Sequence, residues 1–229
     1  MIKPKIALLV FALSDKEEIK QKPFLAQGNL IKSLHAHTKS VISTAGLPVI
    51  YFDEKLQKGN NFGSRFTNAI QYTYDQGYDA IITIGNDCPY LQPIHIHKAK
   101  NALENGNSVL GPTYDGGFYL MGISKESFNR SDFLDFSWNS EVVYEQVRHT
   151  FSRSHKDCII LEKLRDIDYL VDIERLSITR ITNNSLRNSI TSIQSRGQYN
   201  HPNKDLNTSL LIHKVILNKG SPLSSYFQF

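Results

Sequence analysis

The sequence predicts an α/β fold built on a parallel or mixed sheet, and two observations carry that expectation. Apolar, β-rich runs alternate with longer amphipathic stretches through about residue 175, the pattern of strands and helices taking turns around one sheet. In addition, carboxylates recur at or just past the ends of these elements, where open α/β sheets present their ligand crevice.

The elements follow in order. "KIALLVFAL" (Lys5 to Leu13) reads as a buried strand. "NLIKSLHAHTKSVISTAG" (Asn29 to Gly46) places Leu30, Leu34, Val41 and Ile42 near one helical face and stops on a glycine. "LPVIYFD" (Leu47 to Asp53) is a second strand, and "GSRFTNAIQYTYDQG" (Gly63 to Gly77) repeats the helix-then-glycine pattern before a third strand in "YDAIITIG". Pro93 suits the first turn of a helix running to Gly106, because its missing N–H would have no partner there. Strands are expected at "SVLGP" (Ser108 to Pro112), "FYLMGI" (Phe118 to Ile123) and "CIILE" (Cys158 to Glu162). Helices are expected from about Ser140 to Phe151 and over "VDIERLSITRI" (Val171 to Ile181). After Asn183 the pattern weakens; "YNHPNKD" (Tyr199 to Asp205) reads as a linker and "LNTSLLIHKVIL" (Leu206 to Leu217) as a last helix.

A chain of 229 residues, 40% of them apolar, is long enough to bury one substantial core without staples. With two cysteines, no recognisable leader and no apolar run near the ~20 residues that span a bilayer, a reducing cytoplasmic home and no membrane span are expected. The formal charge is +4, but it is unevenly spread: residues 177–229 carry +5 and residues 1–176 carry −1. Basic groups scattered singly among Asn, Ser and Thr describe a solvated surface rather than a phosphate-binding stripe, so no nucleic-acid partner is expected.

Three acid-bearing segments stand out: Gly85-Asn86-Asp87 after the third strand, "GPTYDGGFYL" with Asp115 beside Gly116 and Gly117, and "RDIDYLVDI" with Asp166, Asp168 and Asp172. Hard oxygen donors from separate loops are what Mg²⁺ or Mn²⁺ takes when it is shared with a substrate phosphate. Asp87 and Asp168 are the expected metal pair. Asp172 reads as a helix cap. The pairs His35/His37 and His95/His97 point apart at i and i+2 on a helix and are expected in surface or core roles. Cys88 sits next to Asp87, whose charge raises a thiol's pKa, and is expected to pack.

Together "IGNDCPYL", "VLGPTYDGGFYLMGI", the tryptophan of "FSWNSEVVYEQ" and "LRDIDYLVDI" resemble the bacterial DUF2064, or "transferase 1", family of glycosyltransferase-like proteins. The resemblance runs over roughly residues 5 to 175. It implies the GT-A, nucleotide-diphospho-sugar transferase-like fold: a three-layer α/β/α sandwich with a mostly parallel central sheet, expected over residues 1–176, while the charge balance and weakened pattern beyond it are read as a basic helical extension over 177–229. It also implies a metal-dependent transferase using a nucleotide or nucleotide-sugar and a small acceptor, with relatives among the nucleotidyltransferases of cofactor assembly. By the family motifs, Asp87 is the metal-proximal acid, with Asn86 where serine is usual. Asp115, Gly116 and Gly117 form the Asp-Gly-Gly turn beside the acceptor or sugar, and Asp166 and Asp168 form the segment that brings a second ligand. Gly63 and Arg65 match a Gly-x-Arg before the second helix, and Trp138 matches a tryptophan on the acceptor side, although a core anchor is an equally good reading of a lone tryptophan. On that mechanism the metal neutralises the diphosphate leaving group and Asp115 is the general base.

The chain departs from the family after the first strand. Where a Gly-containing loop and a Lys-Thr-Arg are usual, it has "ALSDKEEIKQKPF" (Ala12 to Phe24), with neither glycine nor arginine. Lys16, Lys20 and Lys22 remain as point charges, but such a loop does not bring several backbone N–H groups close to a pyrophosphate. Two alternatives therefore stay open: nucleotidyl transfer to a small phosphorylated acceptor, and a non-catalytic binding module that has lost its phosphate loop.

Overall fold

Six strands form one sheet in the computed structural model, which describes residues 3–153 and 157–199. The strands are β1 (Ile6–Phe11), β2 (Val49–Phe52), β3 (Ala80–Ile84), β4 (Ser108–Pro112), β5 (Phe118–Ser124) and β6 (Cys158–Ile160). Their order is β2-β1-β3-β5-β4-β6. All pairings are parallel except those of β5, which runs antiparallel to both β3 and β4. The expectation of an α/β fold with a mostly parallel mixed sheet is met.

The helices are α1 (Asp15–Gln21), α2 (Leu30–Ser43), α3 (Phe62–Asp75), α4 (Pro93–Glu104), α5 (Arg130–Asp135), α6 (Val143–Ser152), α7 (Leu170–Glu174) and α8 (Asn184–Tyr199). The period of two along each strand divides the core. Ile6, Leu8, Val10, Ile82 and Ile84 face one apolar cluster, shared with Leu34 of α2, Ile96 of α4 and Ile190 of α8. Leu9, Ile81, Met121 and Ile123 face the other, shared with Phe66 and Ile70 of α3, Phe133 of α5 and Val147 of α6. Helices thus cover both faces, because central strands apolar on both sides must bury both.

Some expected elements change. The segment after β1 is not a loop: Ser14 caps α1 by accepting from the Glu17 N–H at 3.4 Å, and three acids in the first turn suit the positive end of the helix dipole. The helix expected over Val171 to Ile181 ends at Glu174, and a short 3₁₀ turn (Ile178–Arg180) follows. The reason is tertiary: the Ser177 N–H donates to the Tyr90 hydroxyl at 2.6 Å instead of continuing the helix. Beyond Asn183, Leu186, Ile190 and Ile193 form a buried i, i+4, i+7 stripe that docks α8, and Ser33 of α2 meets Ser189 at 2.9 Å. The expected linker from residue 200 onward and the helix Leu206 to Leu217 lie outside the described residues. Among the described residues no helix is long and apolar enough to cross a membrane.

Candidate functional site

The strand order reverses at β1, with β2 on one side of it and β3 on the other. At such a switch point the loops leaving adjacent strands diverge and open a crevice at their carboxyl ends. Phe11, Ala12 and Leu13 line it from β1, and Thr83 through Asp87 line it from β3. Phe62 and Phe66 of α3 and Phe118 of β5 form an apolar aromatic wall, while Glu18 and Lys22 enter from α1 and its end.

Lys22 is the centre of the polar side. It stands directly after α1, and its backbone N–H closes that helix on the Glu18 carbonyl at 2.7 Å. Its ammonium donates to Asp168 Oδ1 at 2.7 Å, to the Ile167 carbonyl at 3.0 Å and, at the long distance of 3.5 Å, to Asp87 Oδ2. Glu18 Oε1 lies 3.9 Å away. Burial by itself would lower the Lys22 pKa, but the charges of Asp168, Asp87 and Glu18 outweigh it and raise the pKa above the ordinary lysine value. The amine therefore stays ionised.

A second layer lies behind it. Glu18 Oε2 accepts from the Asn86 side-chain amide at 3.0 Å, and His35 contacts Asp15, Glu18 and Asn86. Burial opposes charge on His35, yet the hydrogen bond and charge of Glu18, together with Asp15, outweigh it and raise the imidazole pKa. Burial likewise would raise the Glu18 pKa, but His35, Lys22 and Asn86 lower it on balance.

The remaining acids are brought in by strand pairing. Past the end of β4, Thr113 bridges to Leu164 in parallel register, and the Leu164 N–H donates to the Pro112 carbonyl at 3.0 Å. Residues 164–168 therefore run beside the Asp115 turn. The Ile167 N–H donates to the Asp87 carbonyl at 3.0 Å, tying the same segment to the loop after β3. As a result one carboxylate oxygen from each of Asp115, Asp166 and Asp168 lies within 4.8 Å of the others. Asp115 is exposed and Asp166 is buried.

The Asp-Gly-Gly turn is held from several sides. Asp115 Oδ1 accepts from the Thr113 hydroxyl and from the Gly117 N–H, the latter at 3.1 Å. Gly116 has φ +89°, and a Cβ there would stand 2.1 Å from the Glu141 carbonyl oxygen, so only glycine fits. Asp172 is a cap: its Oδ2 accepts from the backbone N–H of Asp168 at 3.2 Å and of Tyr169 at 2.9 Å.

Asp87 and Asp168 thus meet around Lys22, Asn86 meets Glu18 and His35 behind it, and Asp115 joins Asp166 and Asp168. Asp87 and Asp168 are joined through an ammonium that lies between them. Gly63 and Arg65 ride on α3, whose Phe62 and Phe66 form the wall. Trp138 packs behind that wall on Phe62, Phe66 and Phe118, covers Gly63 and donates from Nε1 to the Phe133 carbonyl at 2.6 Å. His95 bonds the Gln92 N–H at 3.0 Å and Glu162 at 2.9 Å, a structural role, and Cys88 is buried. Sequence reasoning missed the parts of Glu18 and His35. The available signals were Ser14 before a run of acids and the Glu18/Lys22 spacing of four, which together mark a helix carrying an ion pair.

Residues 44–140 match the model of the family DUF2064, described as "Uncharacterized protein conserved in bacteria". Among curated proteins no sequence match is found. Among solved structures, a protein of Desulfovibrio desulfuricans G20 named as a candidate nucleotide-diphospho-sugar transferase aligns at 22% identity with a TM-score of 0.71, over 86% of this chain and 96% of its own. Looser likenesses, both at a TM-score of 0.47, are to a Mycobacterium sp. strain JC1 homologue of a Mycobacterium tuberculosis protein (13% identity, 84% of this chain and 100% of that one) and to 4-diphosphocytidyl-2C-methyl-D-erythritol synthase of Anaerococcus prevotii DSM 20548 (9%, 85% and 96%). Residues 44–140, which carry Asp87 and the Asp-Gly-Gly turn, are thus similar to the DUF2064 family, and the chain shares the fold of that nucleotide-diphospho-sugar transferase candidate.

Proposed function

We propose that this chain is a metal-dependent transferase acting on a nucleotide-sugar donor. The observation that supports it is the convergence of carboxylates from two separate loops, after β4 and after β6, joined to the switch-point crevice through the contact of Asp168 with Lys22. The donor set suits a hard divalent cation: three carboxylate oxygens within 4.8 Å of one another, one of them on buried Asp166. Asp166 and Asp168 would hold Mg²⁺ or Mn²⁺, and the bound ion would supply positive charge to the diphosphate leaving group.

The chain's own residues do the rest. Asp115 is the exposed member of the set, and its Oδ1 is fixed by Thr113 and Gly117, which suits it to accept the proton of an acceptor hydroxyl within hydrogen-bond reach. Phe62, Phe66 and Phe118 line the crevice with apolar aromatic surface of the kind on which a base or sugar ring packs. Lys22 fixes Asp87 and Asp168 in place, and Asn86 ties that pair to Glu18.

A second reading, a binding module on the same scaffold, draws on one observation: all three Lys22 N–H groups are directed at protein oxygens, so this lysine offers no donor to a diphosphate. A thermal-shift panel of nucleotides and nucleotide-sugars with Mn²⁺ separates the two. The transferase reading expects selective stabilisation, about 2.7 kcal/mol for a ligand at a hundred times its Kd. A flat panel overturns it in favour of the module, and pyrophosphate release on turnover would identify nucleotidyl transfer instead.

A further inference from the structure

The oxygens around Lys22 make an unusual set. Asp168 Oδ1, Asp87 Oδ2 and the Ile167 carbonyl converge on one point at 2.7, 3.5 and 3.0 Å from Nζ. Two carboxylates and a backbone carbonyl are hard donors of the type that hold a divalent cation. They are also pre-assembled: the Ile167 N–H to Asp87 carbonyl bond links the two loops independently of any cation. The point they face is filled by an ammonium whose side chain is 8% exposed. Three carboxylates, Glu18, Asp87 and Asp168, gather about this single buried amine, and Asp168 in turn lies close to Asp115 and Asp166, so the excess of negative charge favours cation binding over anion binding.

We propose that Lys22 is a built-in cation occupying a second metal position. The wild-type site then accepts one divalent ion, on the Asp166 side of Asp168, and removing the amine opens a second position formed by Asp87, Asp168 and the Ile167 carbonyl. The proposal deepens the metal reading given above, since Asp168 is shared between the two positions. It also assigns Asp87 to Lys22 rather than to the resident ion.

The test is the number of Mn²⁺ ions bound per full-length chain, counted by titration of the free-ion paramagnetic resonance signal at neutral pH. Lys22→Met keeps the length of the side chain and removes its charge. It is expected to bind one ion more than the wild type; Lys22→Met with Asp87→Asn is expected to lose the extra ion, and Lys22→Arg to keep the wild-type count. Equal counts for wild type and Lys22→Met overturn the proposal. A wild type that binds none while Lys22→Met binds one sinks the Asp166 and Asp168 site and leaves this proposal standing; one ion in each does the reverse. Where Lys22→Met does not fold, Asp87→Asn alone decides: Mn²⁺ affinity within threefold of wild type is expected, and a loss of tenfold or more identifies Asp87 as a ligand and overturns the assignment.

Discussion

Lys22 Nζ lies 2.7 Å from Asp168 Oδ1, although 146 residues of chain separate the two. The contact binds the end of α1 to the segment after β6. Replacing Asp168 by Ala removes the nearest partner of a buried ammonium, a change that costs about 3–5 kcal/mol when a charge is left uncompensated. Asp87, Glu18 and the Ile167 carbonyl remain, so the lower end of that range is expected. Urea unfolding measures it.

Gly116 and Gly46 both have positive φ but differ in what surrounds them. At Gly46 a Cβ meets nothing within 4 Å, so Gly46→Ala is expected to cost only the left-handed backbone penalty, about 1–2 kcal/mol. At Gly116 it meets the Glu141 backbone, so Gly116→Ala should cost about 2–4 kcal/mol in total and displace Asp115. Equal losses by urea unfolding would contradict this account of the turn.

Gly63→Ala drives a methyl into the indole of Trp138, because a Cβ at position 63 would stand 2.3 Å from the indole Cδ1. The expected result is about 1–3 kcal/mol of destabilisation and a shift in intrinsic emission. Trp138 is the single tryptophan of the chain, so its emission reports on the surroundings of this one indole.

His35 gives stability a pH dependence. Its folded pKa is raised, so the imidazolium contribution is complete below the unfolded value of 6.5 and is lost as pH rises through the folded pKa. Glu18 has a lowered pKa and acts in the opposite sense, its contribution being lost as pH falls below 4.5 through the folded value. Tm should therefore fall from mildly acidic to alkaline pH in the wild type and lose that component of its slope in His35→Gln. An unchanged slope would show that the imidazole is not paired in solution.

Asp166 and Asp172 test the division between site and scaffold. Asp172→Ala removes a cap and should cost about 0.5–2 kcal/mol while Mn²⁺ affinity is kept. Asp166→Asn should abolish Mn²⁺ binding at millimolar concentration, as read by the same resonance titration. The reverse pattern would exchange their roles.

Much of this was legible before folding. The runs at Lys5 to Leu13 and Tyr78 to Gly85 mark central strands because they are apolar on both faces, and Asp172 is recognisable as a cap from its place at the start of an apolar run. Trp138 admitted two readings that composition does not separate; what it packs on depends on Gly63, seventy-five positions earlier, leaving room for the indole. The helix α8 was masked because Asn, Ser and Thr dilute its stripe, even though Leu186, Ile190 and Ile193 keep the spacing. The break after Glu174 had no local signal at all, since its cause is the hydroxyl of Tyr90.

By itself the sequence determined the alternation of strands and helices, the glycine-dependent turn at Asp115 and the presence of acids at the ends of strands, because each follows from periodicity or backbone sterics within a few residues. Only the tertiary structure decided which charges meet. Lys16, Lys20 and Lys22 are equivalent as a string of lysines, yet Lys20 pairs with Glu17 on the surface while Lys22 is buried between Asp87 and Asp168. That choice rests on the direction in which α1 ends and on the strand pairing that carries residues 164–168 past Asp87. Helical spacing marks the local pairs of Lys20 with Glu17 and of Lys22 with Glu18, whereas the partnership of Lys22 with Asp87 and Asp168 is set by distances of a few ångströms in space that no spacing along the chain encodes.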